Sequence, residues 1–296
     1  MSKKHPVIAV TGSSGAGTTT VKRAFEHIFY RDGVKAAVIE GDSFHRFDRA
    51  EMKVETAKAA AEHRSLSHFG PEANVFDQLE GLFRTYGETG GGKKRYYIHS
   101  EPEALELNAR LGTSLNPGQF TPWEDLQEGT DLLFYEGLHG LVITEENNVA
   151  RYVDLGVGVV PIVNLEWIQK IHSDNLERGY SAEAIVDIIM RRMPDYIKYI
   201  TPQFSLTDIN FQRVPTVDTS NPFTARDIPT LDESFVVIRF KGSKQKVQPD
   251  FRYLLGMIHD SFMSRRNTLV VPGGKMGFAM ELILQPLIER LVRQEY

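Results

Sequence analysis

The stretch that decides the fold is Gly12-Ser13-Ser14-Gly15-Ala16-Gly17-Thr18-Thr19. It follows the apolar run VIAVT at residues 7–11, and it precedes apolar residues at helical spacing, beginning with Val21 and Phe25. A glycine-rich turn between a strand and a helix is typical of a phosphate-binding loop. Its glycines let backbone N–H groups surround a phosphate, and the helix N-terminus adds a positive dipole end. The sequence therefore predicts a polyphosphate site formed by residues 12–19.

Two threonines close this loop. Thr19 stands where the motif's hydroxyl binds Mg²⁺, so we expect it to be a metal ligand. Thr18 stands where the standard motif G-x-x-x-x-G-K-[ST] has lysine. The phosphate interpretation therefore requires a cation from elsewhere in the chain, and a coincidental glycine-rich turn stays open as the alternative.

Length and composition limit the function classes. The 296 residues are 25% charged and 41% hydrophobic, which is ordinary for a globular protein, and we expect one domain over residues 1–296. A net charge of −5 argues against a nucleic-acid or anionic-membrane partner. No apolar run approaches the roughly 18 residues of a membrane helix. With no cysteine and no secretory pattern, we expect a cytoplasmic protein without disulfides or thiolate metal sites.

Strand-like and helix-like segments alternate along the chain. Helical patterns are expected within 46–69, 74–86 and 167–179, from an N-cap at Ser181 to Pro194, and from Met276 onward. After the first strand, further strands are expected at 34–39, 131–137, 154–165, 235–240 and 268–271. Segments 95–130 and 201–232 are expected to be irregular or loop-dominated because of their prolines and polar residues. This alternation predicts an α/β fold with a doubly wound, mostly parallel sheet and helices on both faces.

Carboxylates follow two of the predicted buried strands. Because ligands of open parallel sheets collect at the carboxyl ends of the strands, Asp42 and Glu136 are expected near the phosphate loop. Glu136 suits the acid that holds the water shell of Mg²⁺, and Asp42 suits a general base towards an acceptor hydroxyl. The alternative for Glu136 is a carboxylate that simply faces solvent at the end of its strand.

A run of basic residues follows Asp42. His45, Arg49 and Lys53 follow Asp42, which suggests an anionic acceptor such as a sugar phosphate; an ordinary charged helix face is the alternative.

A second charged row belongs to a later helix. Lys170, Asp174 and Arg178 are spaced i, i+4, i+8 and share one helix face. That row is either a pair of surface ion pairs or a catalytic row in which Lys170 replaces the missing loop cation.

Six blocks of the sequence together resemble the bacterial phosphoribulokinases, a branch of the phosphoribulokinase and uridine kinase family of P-loop kinases. These blocks are GSSGAGT (12–18), EGDSFHR (40–46), FYEGLHG (134–140), VPIVNLEWIQK (160–170), DINFQRVP (208–215) and DTSNPF (218–223). The bacterial branch also has the loop without lysine. The resemblance implies a P-loop kinase fold and ATP- and Mg²⁺-dependent phosphorylation of the C1 hydroxyl of D-ribulose 5-phosphate. The products would be ribulose 1,5-bisphosphate and ADP.

The resemblance also implies roles for individual residues. Asp42 corresponds to the catalytic base, Glu136 to the metal-linked acid, Asp174 to a second essential carboxylate and Lys170 to the substitute phosphate cation. The substrate-binding positions correspond to His45, Arg49 and Arg178. Bacterial members are homo-oligomers controlled by NADH, and Arg239 matches a position tied to that control.

One departure and two rival functions stand beside this resemblance. Ser173 occupies a position where members usually carry arginine, which bears on turnover or substrate affinity. The rivals are a nucleoside kinase of the uridine kinase type and a nucleotide-sensing protein without catalysis. Because members also occur in bacteria that do not fix carbon, a role in the Calvin cycle stays open.

Overall fold

An eight-stranded sheet forms the centre of the molecule in the computed structural model, with strand order β2-β5-β1-β6-β7-β8-β10-β9. The structure describes residues 5–12, 18–178, 181–223, 227–241 and 249–293, without the side chains of 18–19, 173–178 and 182. A separate two-stranded ribbon pairs β3 with β4. The strands are β1 (Val7–Gly12), β2 (Ala36–Glu40), β3 (Lys93–Lys94), β4 (Glu124–Asp125), β5 (Leu132–Gly137), β6 (Leu155–Val160), β7 (Ile209–Pro215), β8 (Ser234–Phe240), β9 (Phe262–Arg265) and β10 (Thr268–Pro272).

Helices connect most of these strands. They are α1 (Thr18–Asp32), α2 (Arg49–Ala61), α3 (Phe76–Thr89), α4 (Glu101–Leu111), α5 (Val163–Arg178), α6 (Ala182–Asp195), α7 (Phe251–Met257) and α8 (Met276–Arg293). In the part of the chain that the structure describes, none of these helices is both long and apolar enough to cross a lipid bilayer.

The sheet is parallel from β2 through β7 and antiparallel beyond it. Strand β1 lies between β5 and β6, and both pairings are parallel, whereas β8 pairs antiparallel with both β7 and β10. Alternate residues of the strands enter two apolar cores on opposite faces. Ile8 and Val10 pack with α1 and α8, whereas Val7 and Ala9 pack with α3. The prediction of a doubly wound, mostly parallel α/β sheet is confirmed.

Three local expectations were wrong. Segment 95–130 contains α4, because Pro102 lies in the first turn of this helix, where a missing N–H costs no hydrogen bond. Segment 201–232 contains β7, whose apolar residues are interrupted by polar ones that are only partly buried. The strand expected over 154–165 ends at Val160, and residues 163–165 already belong to α5.

The start and end of α6 follow the sequence signals. The hydroxyl of Ser181 accepts a hydrogen bond from the Ala184 N–H at 3.3 Å, which makes Ser181 the expected N-cap. Pro194 lies in the last turn of the α-helix, which ends at Asp195 and continues as a π-helical turn over Tyr196–Ile200. Because proline has no N–H to donate, the hydrogen-bond pattern changes from α to π at this point, and the chain continues in helical form.

Candidate active site

The carboxyl ends of β2, β5 and β1 lie side by side and carry the candidate site. Asp42 belongs to the 3₁₀ turn Gly41–Phe44 directly after β2. Glu136 lies near the end of β5, in register with Glu40 of β2 and Val10 of β1. Since β1 leads into the glycine-rich loop, the two predicted carboxylates lie at the edge of the sheet where that loop begins.

The phosphate loop itself is only partly described. Gly12 is the last residue of β1, and Thr18 is the first residue of α1. The predicted ligands Ser13, Ser14, Gly15, Ala16 and Gly17 lie outside the described residues, as do the side chains of Thr18 and Thr19. Strand β1 ends at Gly12 and helix α1 begins at Thr18, so the motif lies between a strand and a helix as it requires.

A lysine of α1 balances the negative charge at these strand ends. Lys22 Nζ lies 2.7 Å from Glu40 Oε1, and both side chains are about one-third exposed, at 34% and 33%. Burial by itself lowers the pKa of Lys22, but the hydrogen bond to Glu40 and the charges of Glu40 and Glu136 outweigh it and raise the pKa. Lys22 therefore supplies positive charge beside two carboxylates that are in register on neighbouring strands.

Two histidines face the carboxylate of Asp42. His45 Nε2 lies 3.2 Å from Asp42 Oδ1, and His99 Nε2 lies 3.9 Å from Asp42 Oδ2. Burial alone would raise the pKa of Asp42, but the hydrogen bond and positive charge of His45, together with His99, hold it below its ordinary value. The carboxylate therefore stays ionised at neutral pH, as a base towards a hydroxyl requires.

Behind His45 lies a buried polar network. His45 Nδ1 is 2.9 Å from Asn74 Oδ1, and its ring stacks on His68 with 4.1 Å between ring centroids. His139 is buried, and its Nε2 lies 2.8 Å from the carbonyl oxygen of His68. Burial lowers the pKa of both His68 and His139 to about 3, so both rings are neutral at physiological pH.

An arginine from the segment before α4 holds the turn that carries Asp42. The Arg95 guanidinium donates to the carbonyl oxygens of Ser43, at 2.8 Å, and His45, at 2.5 Å. Its plane also lies over Phe120, 3.7 Å from the ring centroid, and over Trp123, at 4.7 Å. Burial lowers the pKa of Arg95 to about 10, which leaves the group charged at neutral pH.

Arg49, a predicted substrate residue, begins α2 beside this turn. Its backbone N–H donates to the Gly118 carbonyl at 2.9 Å, and its exposed side chain passes close to Gly118. The preceding Asp48 caps the helix through a reciprocal pair of hydrogen bonds with Glu51. The cap fixes the start of α2, so the Arg49 side chain leaves the helix from a defined position.

The remaining predicted residues lie on other elements. Lys170 is half-buried on α5, and the Asp174 and Arg178 side chains on the same helix lie outside the described residues. Arg239 is exposed on β8, in register with Asn210 of β7. It lies three strands from β1, so at about 4.8 Å per strand it is about 14 Å away across the sheet. The structure thus brings Asp42 and His45 together and places Arg239 away from them.

Comparisons with known proteins match the whole chain. The model of the "Phosphoribulokinase / Uridine kinase family" matches residues 7–220. The chain belongs to the phosphoribulokinase and uridine kinase family. It is 60% identical to the chromosomal phosphoribulokinase of Cupriavidus necator over 99% of this chain and 98% of that protein. The same identity relates it to a probable phosphoribulokinase of Escherichia coli, over 99% and 98% of the two chains.

A solved structure of the family has the same fold. Phosphoribulokinase from Rhodobacter spheroides superposes with a TM-score of 0.88 at 55% sequence identity, covering 99% of each chain. This likeness extends over the antiparallel part of the sheet, beyond the residues that the family model matches. The expected membership of the family and its P-loop kinase fold are therefore both confirmed.

Four side chains at the site were missed in the sequence. Asn74, Arg95 and His99 contact a predicted site residue or its turn from segments without a recognised motif. Lys22 lies on the helix that follows the phosphate loop and contacts Glu40, the register partner of Glu136. Asn74 had one usable signal, because it directly precedes an apolar helical pattern and therefore looks like a capping residue. In the structure it bonds to the ring of His45 instead, while Val75 holds the N-cap position of α3.

Proposed function

We propose that this protein transfers the γ-phosphoryl group of ATP to the C1 hydroxyl of D-ribulose 5-phosphate, giving ribulose 1,5-bisphosphate and ADP. The observation that carries the proposal is the position of Asp42. Its carboxylate lies at the edge of the sheet where the phosphate loop begins, and two histidines face it. Relatives that carry the name phosphoribulokinase are about 60% identical over nearly the full length.

Asp42 acts as the general base. It accepts the proton of the C1 hydroxyl while the bond from the γ-phosphorus to that oxygen forms and the bond to the β-phosphate oxygen breaks. Because Oδ1 is occupied by His45, Oδ2 is the oxygen available for the hydroxyl. His99, with its Nε2 3.9 Å from Oδ2 and its side chain 47% exposed, lies beside this oxygen, where the sugar phosphate would bind.

Glu136 and Thr19 suit a bound Mg²⁺. A carboxylate and a hydroxyl are the hard oxygen ligands that Mg²⁺ prefers, and Glu136 is half-buried on the face of the sheet that packs against α1. When bound, the metal ion neutralises charge on the β- and γ-phosphates. Lys22 offsets the charge of the neighbouring Glu40. The negative charge of Glu136 is therefore not increased by a second unpaired carboxylate beside it.

Residues of α5 and α2 complete the proposed site. Lys170 supplies the cation that Thr18 lacks, and Asp174 on the same helix face is a second catalytic carboxylate. His45, Arg49 and Arg178 hold the sugar phosphate. Ser173, next to Asp174, carries no charge, and we expect its replacement by arginine to raise the affinity for the sugar phosphate.

Control and assembly form a separate part of the proposal. NADH is the proposed allosteric activator, acting through Arg239, whose exposed side chain lies on β8 and away from the catalytic carboxylate. We further propose a cytoplasmic homo-oligomer. Activity measured with and without NADH, in wild type and in Arg239→Ala, tests the control: activation confined to wild type supports the role of Arg239. Light scattering, which measures the mass of the particle in solution, tests the homo-oligomer.

A coupled assay of ADP release tests the proposed reaction. The protein is supplied with ATP and Mg²⁺ and with either ribulose 5-phosphate or uridine. We expect turnover with ribulose 5-phosphate and none above background with uridine. Turnover with uridine alone would assign the nucleoside kinase function instead, and binding of ATP without turnover on either acceptor would assign a nucleotide-sensing role.

A further inference from the structure

Asn74 is 2% exposed, and both ends of its side-chain amide form hydrogen bonds. It lies 29 positions along the chain from His45, the histidine that it contacts. Its Nδ2 group donates to the carbonyl oxygens of His68, at 3.0 Å, and Gly70, at 2.6 Å. A reversed amide would place its oxygen against these two acceptors. The orientation is therefore fixed, and Oδ1 points to Nδ1 of His45.

This orientation dictates the proton on one side of the His45 ring. Because Asn74 Oδ1 can only accept, Nδ1 of His45 must carry a hydrogen. On the other side, Nε2 lies 3.2 Å from Oδ1 of Asp42. If Nε2 carried no hydrogen, its lone pair would face the lone pairs of an ionised carboxylate. The contact is favourable only when Nε2 is protonated as well.

We infer that Asn74 is a positioning residue: it holds a hydrogen on Nδ1 of His45, so that the hydrogen bond from Nε2 to the carboxylate of Asp42 requires a doubly protonated ring. Removing Asn74 would free Nδ1, and His45 could then bond to Asp42 as a neutral ring protonated on Nε2 alone. The Asn74 amide therefore controls whether the His45 ring is doubly protonated, whereas the hydrogen bond to Asp42 holds the ring in place with or without Asn74.

The other groups around His45 are compatible with this charge. His68 stacks on its ring and His139 lies behind, but burial lowers the pKa of both to about 3, so neither adds a competing cation. The Arg95 guanidinium contacts the His45 backbone carbonyl rather than its ring. Asp42 is the only carboxylate among the described contacts of the imidazole.

Nitrogen NMR of protein labelled with ¹⁵N-histidine measures this protonation directly, at pH 7.5 and without substrates. His45 is assigned from the signal that is lost in His45→Gln. In wild type, we expect both ring nitrogens of His45 to give shifts of protonated nitrogen. In Asn74→Leu, we expect Nδ1 to give the shift of an unprotonated nitrogen, while Asn74→Asp, which keeps the acceptor, restores the doubly protonated ring.

Asn108→Leu is the matched control. Asn108 also donates to a backbone carbonyl, that of Leu115, and accepts from a neighbouring N–H, but it bonds to no histidine among the described residues. Its replacement should leave the His45 signals unchanged. A neutral His45 in wild type, or a doubly protonated His45 in Asn74→Leu, would overturn the inference. If Asn74→Leu does not fold, Asn74→Ala takes its place, and the same two outcomes apply.

A kinetic measurement extends the test and rests on the proposed function. Losing the charge-assisted part of the His45 bonds should lower kcat/KM for ribulose 5-phosphate about tenfold in Asn74→Leu, with the KM for ATP unchanged. Absence of turnover in wild type would reject the proposed function and leave the NMR result intact. Normal kcat/KM in Asn74→Leu with a neutral His45 would reject only the catalytic importance of the charge.

Discussion

Gly41 and Gly137 meet backbone to backbone where β2 and β5 end. A Cβ atom built on Gly137 would lie 2.7 Å from the Cα of Gly41, and one built on Gly41 would lie 2.9 Å from the Cα of Gly137. Neither position has room for a side chain. This contact brings the turn of Asp42 against the strand end that carries Glu136.

We expect Gly137→Ala to separate these strand ends. Overpacking of this kind costs about 1–3 kcal/mol of unfolding free energy, and a displacement of roughly 1 Å at a catalytic group can lower turnover about 100-fold. Urea unfolding and kcat measure the two effects. Gly81→Ala is the control, because no atom lies within 4 Å of its added Cβ in the middle of α3. It should stabilise the protein by about 0.5–1 kcal/mol. Wild-type kcat in Gly137→Ala would show that the close approach is dispensable.

Asp42→Asn tests the general base. An amide cannot accept the hydroxyl proton, so kcat should fall by about 10²–10⁴-fold, while ATP affinity measured by calorimetry stays near that of wild type. Asp48→Asn, which keeps a capping side chain at the start of α2, is the nearby control and should retain turnover. A kcat close to wild type in Asp42→Asn would remove Asp42 from the mechanism.

Lys170→Met tests the substitute cation. A lysine that acts mainly in the transition state lowers kcat and kcat/KM by the same factor when it is removed, and ATP binding persists. Lys58→Met removes an exposed lysine that pairs with Glu55 on α2, and we expect it to change neither constant. Full turnover in Lys170→Met would mean that another basic residue replaces the loop lysine.

Ser173→Arg is expected to lower the KM for the sugar phosphate.

Arg95→Lys tests the support of the Asp42 turn. Lysine lacks the planar fork that reaches the carbonyls of both Ser43 and His45, and it stacks less well on Phe120. We expect a loss of about 1–3 kcal/mol of unfolding free energy and a fall in kcat of at least about tenfold. Arg110→Lys is the surface control, since Arg110 is 46% exposed and pairs with Glu124. Equal effects of the two replacements would contradict the special role of Arg95.

Acid should destabilise the protein through His68 and His139. Burial depresses the pKa of both to about 3 in the folded state, against 6.5 in the unfolded chain. Below pH 6.5 each ring binds a proton in the unfolded chain but stays neutral in the folded protein. The free energy of unfolding is therefore unaffected above pH 6.5 and falls as pH drops towards 3, by up to about 1.4 kcal/mol per pH unit for each ring. Urea unfolding at pH 7, 6 and 5 should show a shallower decline in His139→Gln than in wild type. Identical slopes would exclude His139 as a titrating group.

Some features of the site could be predicted because they are local. The strand, glycine-rich loop and helix of residues 7–32 are visible as apolar spacing and turn residues, which report backbone conformation over a few positions. The positions of Asp42 and Glu136 follow from one further rule, since carboxyl ends of parallel strands share an edge. The prediction of an irregular segment over 95–130 failed because proline breaks a helix in its interior but is favourable in its first turn, where Pro102 lies.

The sequence alone thus determined the family, the sheet and the two carboxylates, all of which are encoded in short contiguous patterns. Only the tertiary structure decided what surrounds Asp42. Asn74 reaches His45 across 29 positions, and Arg95 reaches the Ser43 carbonyl across 52. Such partners are set by the path of the chain and by the need of buried polar groups for hydrogen bonds, and neither leaves a periodic signal in the sequence.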